Sequence, residues 1–233
     1  MTKNKNKIAV VCAHPDDEVL GCGGTIAKHV QAGDEAYVLI LAEGVTSRDI
    51  NRNPENRSLE LSELVQDAQK ANNILGVTSL VIKNFPDNRM DSVAMLDVVK
   101  VVEGFFQEYC PTIVYTHHSG DLNLDHRIVH DAVNIASRPR PENKVETLLY
   151  YEVPSSTEWQ VPSTLPVFSP NWFVNIGETL NVKLEALAQY RSEIRSWPHA
   201  RSAEAVEHLA CWRGASVGRE AAEAFILGRK IDK

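Results

Sequence analysis

Five short apolar runs, each followed by a polar loop and then by a segment with helical periodicity, leave this chain few folds to choose from. Residues 8–12, 36–41, 80–82, 112–116 and 147–151 are rich in Val, Ile, Leu and Tyr and have the length of buried strands. Between them the spacing predicts helices over about 19–32, ended by Gly33, and then over the stretch following Asn56. In that second helix Leu59, Leu61, Leu64, Val65, Ala68, Ala71 and Leu75 mark one face and Gly76 supplies the C-cap. Two more helices are expected over about 92–108 and 125–136. Repeated βα units of this size imply a Rossmann-like, doubly wound, mostly parallel α/β sheet with right-handed crossovers and helices on both faces.

The tail reads differently. Pro154, Pro162, Pro166 and Pro170 interrupt a loop-rich stretch with one strand candidate at 172–176, and helices are expected over about 180–192 and 203–227. No linker-like segment separates the two parts. The expectation is one domain over 1–233, with a βα core at 1–153 and a helical and loop appendage at 154–233. Trp159, Trp172, Trp197 and Trp212 are expected in the core, and Cys12 and Cys211 as small buried hydrophobes.

A formal charge of -7 over 233 residues, with no dense Lys/Arg patch, argues against general nucleic-acid binding. No apolar run reaches membrane-span length, and the start lacks a signal peptide's hydrophobic stretch, so a cytoplasmic protein is expected. The four cysteines form no CxxC pair.

Polar residues collect after the first four strand runs, whose loops open on one edge of a parallel sheet. The loop after the first carries His14, Asp16 and Asp17; the loop after the fourth carries His117, His118, Asp121, Asn123, Asp125 and His126. In a doubly wound sheet these two strands are neighbours at the switch point, where ligands bind. The donors suit a catalytic zinc, which takes three protein ligands and keeps an open position. With His14, Asp17 and His126 around a 2+ ion, one carboxylate leaves a site charge of about +1. That charge lowers the pKa of a bound water toward ~7. Asp16, next door and not a ligand, is placed to take the water's proton. Asp125 can hold a ligating imidazole in one tautomer, or serve as the N-cap of its helix.

Ala13-His14-Pro15-Asp16-Asp17-Glu18, with Asp125-His126 downstream, resembles the PIG-L/LmbE family of zinc-dependent de-N-acetylases. The likeness runs on through Arg57 and Glu60, Phe85-Pro86-Asp87 and Ala222-Glu223-Ala224-Phe225. It implies hydrolysis of the acetamide of an N-acetyl amino sugar, with His14, Asp17 and His126 as ligands of one Zn²⁺ (Fe²⁺ or another divalent ion being the alternative). It further implies Asp16 as general base and Arg57 and Asp87 at the substrate; Arg89 in the same loops adds to a site suited to a hydroxylated, anionic sugar, with a nucleotide-linked N-acetyl amino sugar the first expectation. Family resemblance and the apolar, proline-rich tail also imply a homo-oligomer.

One departure stands out. Many family members have histidine where this chain has Asn123. Asparagine can donate to an oxyanion but cannot shuttle a proton. Asp16 must then act as both base and acid, or His117, His118 or His199 supplies the proton. Rival readings are an amidase for a thiol-linked or antibiotic-like amino sugar, and a metal- or sugar-binding protein without catalysis. Gly214-Ala215-Ser216-Val217-Gly218 matches a hydrolase nucleophile elbow but lacks the preceding strand and a later histidine.

Overall fold

In the computed structural model, which describes residues 5–232, seven strands form one sheet in the order β3-β2-β1-β4-β5-β7-β6. The central strand β1 (Lys7–Cys12) runs parallel to β2 (Glu35–Ala42) on one side and β4 (Ile113–His117) on the other. Outward from these lie β3 (Ser79–Phe85) and β5 (Thr147–Tyr151), also parallel. From Ile8 to Cys12 every residue of β1 is buried, because both faces of the strand are covered. Ile8, Val10 and Cys12 pack toward α1 (Asp17–Gln31), α2 (Ser58–Leu75) and α5 (Leu180–Leu187). Ala9 and Val11 pack toward α3 (Met95–Tyr109) and α4 (Leu124–Ala136). Burial on this scale contributes about 1.5–3 kcal/mol per large aliphatic side chain and favours a fully apolar strand over an alternating one.

The tail joins the same sheet. Both β6 (Trp172–Asn175) and β7 (Ala222–Lys230) lie beyond β5; β7 pairs antiparallel with β5, and β6 with β7. The helical pattern expected over 203–227 therefore stops early: α6 covers Ala203–Ala215, and Ala222-Glu223-Ala224-Phe225 is strand. A short apolar run buried on both faces has no periodicity to separate helix from strand, and the open edge of β5 decided for strand. The helix expected over 180–192 likewise ends at Leu187. Trp159, Trp197 and Trp212 are 50%, 56% and 69% exposed, contrary to the core role expected of them, and Cys211 is exposed as well.

Helix α1 is where tail and core interlock. It is kinked at Cys22, whose φ of -151° breaks the helical run. Glu223 of β7 accepts from the freed amides of Gly24 (3.0 Å) and Thr25 (2.7 Å), while Lys183 donates to the carbonyl of Leu20 (2.8 Å). Lys183 and Glu223 themselves pair at 2.6 Å, both buried. A buried ion pair is tolerable here because each partner also satisfies backbone groups that the kink leaves open. Gly21 marks the closest approach: a Cβ there would stand 2.7 Å from Cγ of the fully buried Tyr151 ring. The glycines after the first loop thus serve close packing. No helix among the described residues is long and apolar enough to cross a membrane.

Gly21→Ala is expected to destabilise the fold by about 1–3 kcal/mol through overpacking. At about 2–4 °C per kcal/mol for a chain of this size, a thermal melt would show a clear fall in Tm; an unchanged Tm would contradict the tight α1–β5 contact.

Candidate active site

The end of β1 turns sharply. The amide of His14 donates to Asp17 Oδ2 (2.8 Å), the amide of Asp17 to the His14 carbonyl (3.3 Å), and helix α1 begins at once. Between them Asp16 sits at φ 105°, a region that non-glycine residues rarely occupy and that costs on the order of 1–3 kcal/mol. This conformation holds a carboxylate that is only 2% exposed beside the cluster rather than in solvent. Its neighbour Glu18 points the other way, accepting from Asn72 (2.9 Å), from Tyr190 and from the Asp16 amide (3.1 Å). Burial pushes Glu18 up to about 7.

Pairing of β1 with β4 brings the second loop against the first. Asp17 Oδ2 lies 3.5 Å from His14 Nδ1 and 3.3 Å from His126 Nε2, and ligand atoms of His14, Asp17 and His126 all fall within 4.8 Å of one another. The outer nitrogen of each histidine meets a carboxylate. His14 Nε2 is 3.1 Å from Asp125 Oδ2 and 3.3 Å from Asp87 Oδ1; His126 Nδ1 is 3.1 Å from Asp121 Oδ1. Such pairing sets the tautomer and leaves His14 Nδ1 and His126 Nε2 facing Asp17. Asp17 Oδ1 and both ring nitrogens of His126 are buried with no hydrogen bond among the described residues; the His126 nitrogens face Asp17 and Asp121 at ion-pair distance only, which leaves the cluster able to turn donor atoms to a cation. His14, Asp87 and Asp125 form a second trio of sufficient proximity. Both of its carboxylates, however, are occupied by amides: Asp87 accepts from Ser47, and Asp125 from Asn88 and Met90.

Asp125 is therefore a partner of His14 and not a helix cap. The N-cap of α4 is Asn123, whose Oδ1 accepts from the amides of Asp125 (2.8 Å) and His126 (3.4 Å) while Nδ2 donates to Asn88 (2.8 Å). His14, Asp16, Asp87, Asn88 and Asn123 line a cavity of about 100 Å³ together with Arg48, Glu193 and Arg201. A roomier cavity of about 360 Å³ lies against Tyr115 and Trp172, at the other end of the strands, and holds none of these groups.

Three expected site residues are engaged elsewhere. His118, expected to supply a proton, pairs with the Pro166 carbonyl (2.9 Å) and meets the ring of Phe168 edge-on. One residue past the end of β4, it faces away from His117 and so from His126, which His117 stacks against. Arg57, expected at the substrate, forks onto Asp49 and Glu60 at 2.7 Å each, and Arg89 donates to the Ile50 carbonyl (2.7 Å). Neither arginine lines the cavity. His199 accepts from the Arg201 amide and faces Trp159. His117 stacks behind His126, ring centres 3.9 Å apart, and accepts from the Ala13 amide.

Sequence reasoning missed the role of Asp121 beside His126 and missed Arg201 altogether. Asp121 is fully buried, accepting from Thr157 (2.6 Å), Ser156 and the Asn123 amide. Its only signal was position, a carboxylate just ahead of the helix cap. Arg201 comes from the tail, where no pattern singled it out, and its Nη1 reaches Asp16 Oδ2 at 3.1 Å.

The charges fall into a consistent pattern. Burial alone would raise Asp17, but the charge of His126, with the His126 and His14 imidazoles close beside it, outweighs burial and holds the carboxyl well below its ordinary range. Burial opposes protonation of His126, yet Asp17 and Asp121 together raise it to about 9. His14 is likewise raised, by Asp125, Asp17 and Asp87 against burial. Burial drives Asp16 up to about 8, with Arg201 pulling the other way.

The sheet and this cluster define a Rossmann-like α/β protein with a His–Asp–His centre fit for a divalent cation at its switch point. Comparison with known proteins agrees. Residues 9–137 match the PIG-L family, described as GlcNAc-PI de-N-acetylase, and the chain belongs to that family. It is 31% identical over 198 residues to the uncharacterized deacetylase YaiS of Escherichia coli K12, spanning 81% of this chain and 93% of that one. It is 25% identical over 193 residues to a probable N-acetyl-alpha-D-glucosaminyl L-malate deacetylase 2 of Bacillus anthracis, covering 82% and 83%. The solved N,N'-diacetylchitobiose deacetylase of Pyrococcus horikoshii shares the fold, with a TM-score of 0.77 over 97% of this chain and 85% of that one at 19% identity.

Two outcomes are expected of metal uptake. Protonated imidazoles cannot ligate; His126 is raised to about 9 and His14 is raised by its carboxylate partners, so apparent affinity should rise as pH goes from 6 to 9. Calorimetry in two buffers of different ionisation enthalpy would register the released protons; pH-independent uptake would contradict the assignment. Asp121→Asn should weaken zinc affinity by about 10–100-fold in a chelator competition, with the fold retained.

Proposed function

We propose that this protein is a zinc-dependent N-deacetylase that hydrolyses the acetamide of an N-acetyl amino sugar to acetate and a free amine. The observation that carries this reading is the His14–Asp17–His126 cluster, whose donor atoms fall within 4.8 Å of one another, beside the buried carboxylate of Asp16. His14, Asp17 and His126 would hold the ion. When bound there, a divalent ion supplies a Lewis acid for the carbonyl and lowers the pKa of water.

Asp16 takes the proton from the attacking water as its oxygen bonds to the acyl carbon. With His118 and His199 turned elsewhere, Asp16 is also the group that returns a proton to the nitrogen as the C–N bond breaks. A pKa near neutrality suits one carboxyl to both steps, and the about 8 reached through burial, before any cation charge is counted, leaves room for that. Asn123 Nδ2 has two protons and gives one to Asn88, so the other can meet a developing oxyanion. Asp87 and Asn88 at the cavity wall suit sugar hydroxyls.

Self-association belongs to the same reading, supported by the exposed Trp159, Trp197 and Trp212. So does a single domain over 1–233, supported by the shared sheet and the Glu223–Lys183 tie.

Acetate release from a panel of N-acetyl sugars should require metal, vanish with a chelator and return with zinc. Asp16→Asn should bind metal in equal amount yet lose about 10²–10⁴-fold in turnover. Near-normal turnover in that variant would refute the role given to Asp16.

A further inference from the structure

Resting on the amino-sugar reading above, we propose that Arg48 and Arg201 form an oxyanion-recognising subsite for a carboxylate or phosphate on the sugar, and that Glu193 closes it from within. Arg48 comes from the loop after β2 and Arg201 from the tail, and both line the cavity beside Asp16. Glu193, in the segment after α5, bridges them: Oε1 lies 2.6 Å from Arg48 Nη2, and Oε2 lies 3.7 Å from Arg201 Nη1. The other carboxylate near Arg48 is Glu60, at 3.7 Å, and Glu60 is already held by Arg57 at 2.7 Å. Glu193 is therefore the principal counter-charge of Arg48. Arg201 also faces Asp16, at 3.1 Å, so the subsite adjoins the proposed base directly.

The space supports the same conclusion. The cavity of about 100 Å³ is well below the roughly 300 Å³ at which small-molecule pockets begin. A whole sugar ring does not fit within that volume, so it must also extend outside the cavity or displace lining side chains, among which are Glu193 and Arg48. Arg48 is 37% exposed at its side chain and Glu193 16%, so water reaches the pair from the arginine side and weakens it in part. An acidic substituent entering as Glu193 leaves gives both guanidinium groups an anionic partner with at least two acceptor oxygens in exchange. A neutral sugar would separate Arg48 from Glu193 with nothing in return. The bridge thus discriminates by charge, and it does so through Arg48 and Arg201 instead of the Arg57 and Arg89 that the sequence suggested.

Binding of deacetylated sugars, which cannot be turned over, tests this without depending on the reaction. Calorimetric titration of the metal-loaded protein with glucosamine, glucosamine 1-phosphate, glucosamine 6-phosphate and muramic acid should show at least one acidic sugar binding tenfold or more tightly than glucosamine. Which of them does so separates phosphate from carboxylate. Glu193→Gln should tighten that acidic sugar severalfold, and Arg48→Gln should bring the acidic-to-neutral ratio close to one. Equal binding of all four sugars, or ratios unmoved by both variants, overturns the subsite. Acetate release measured alongside keeps the two readings apart. Charge preference without acetate release from any N-acetyl sugar would sink the deacetylation while the subsite stands. Release with no charge preference would do the reverse.

Discussion

Pairing of β1 with β4 is the contact on which the rest of the molecule depends. Ile8, Ala9 and Val10 align with Ile113, Val114 and Tyr115, and that register carries the two loops beyond them to the same height. His14 and Asp17 then meet His126 across more than a hundred residues of chain. Parallel strands must be joined by crossovers, so helices leave on opposite faces at this point and a crevice opens between them. The apolar surface buried on both faces of β1 stabilises the arrangement, and the polar cluster at its end uses some of that stability.

What makes such a cluster tolerable is the pairing of each imidazole with a carboxylate. Asp121 and Asp125 sit behind His126 and His14, and both are themselves held by amides or hydroxyls. Without those partners the buried histidines would shed their protons to escape desolvation, as His117 does where burial and the neighbouring His126 lower it well below the ordinary value. The inner faces converge on Asp17, the one carboxylate in the group with a buried oxygen left unpartnered among the described residues. Charge and geometry together make His14, Asp17 and His126 a group that could hold a metal ion.

The tail completes both the sheet and the site. Glu223 and Lys183 close the backbone gap that the kink in α1 opens, and β7 covers the edge of β5. From the same region Arg201 and Glu193 reach the mouth of the cavity. The segment most easily read as an addition to the core thus supplies side chains that line the cavity beside Asp16.

By itself the sequence determined the parallel core, its two-faced burial and the identity of the metal-competent residues. Those features are local: apolar runs of strand length, glycine and asparagine at helix ends, and His14, Asp16 and Asp17 packed into one turn. Tertiary structure decided the remainder. It made Ala222–Lys230 a strand because β5 offered unpaired backbone, a fact no window on the tail contains. It withdrew His118, Arg57 and Arg89 from the site by giving them nearer partners, and brought in Arg201 and Glu193 from far along the chain. A residue's chemistry is written in its type, but its partners depend on which surfaces the packed core leaves side by side.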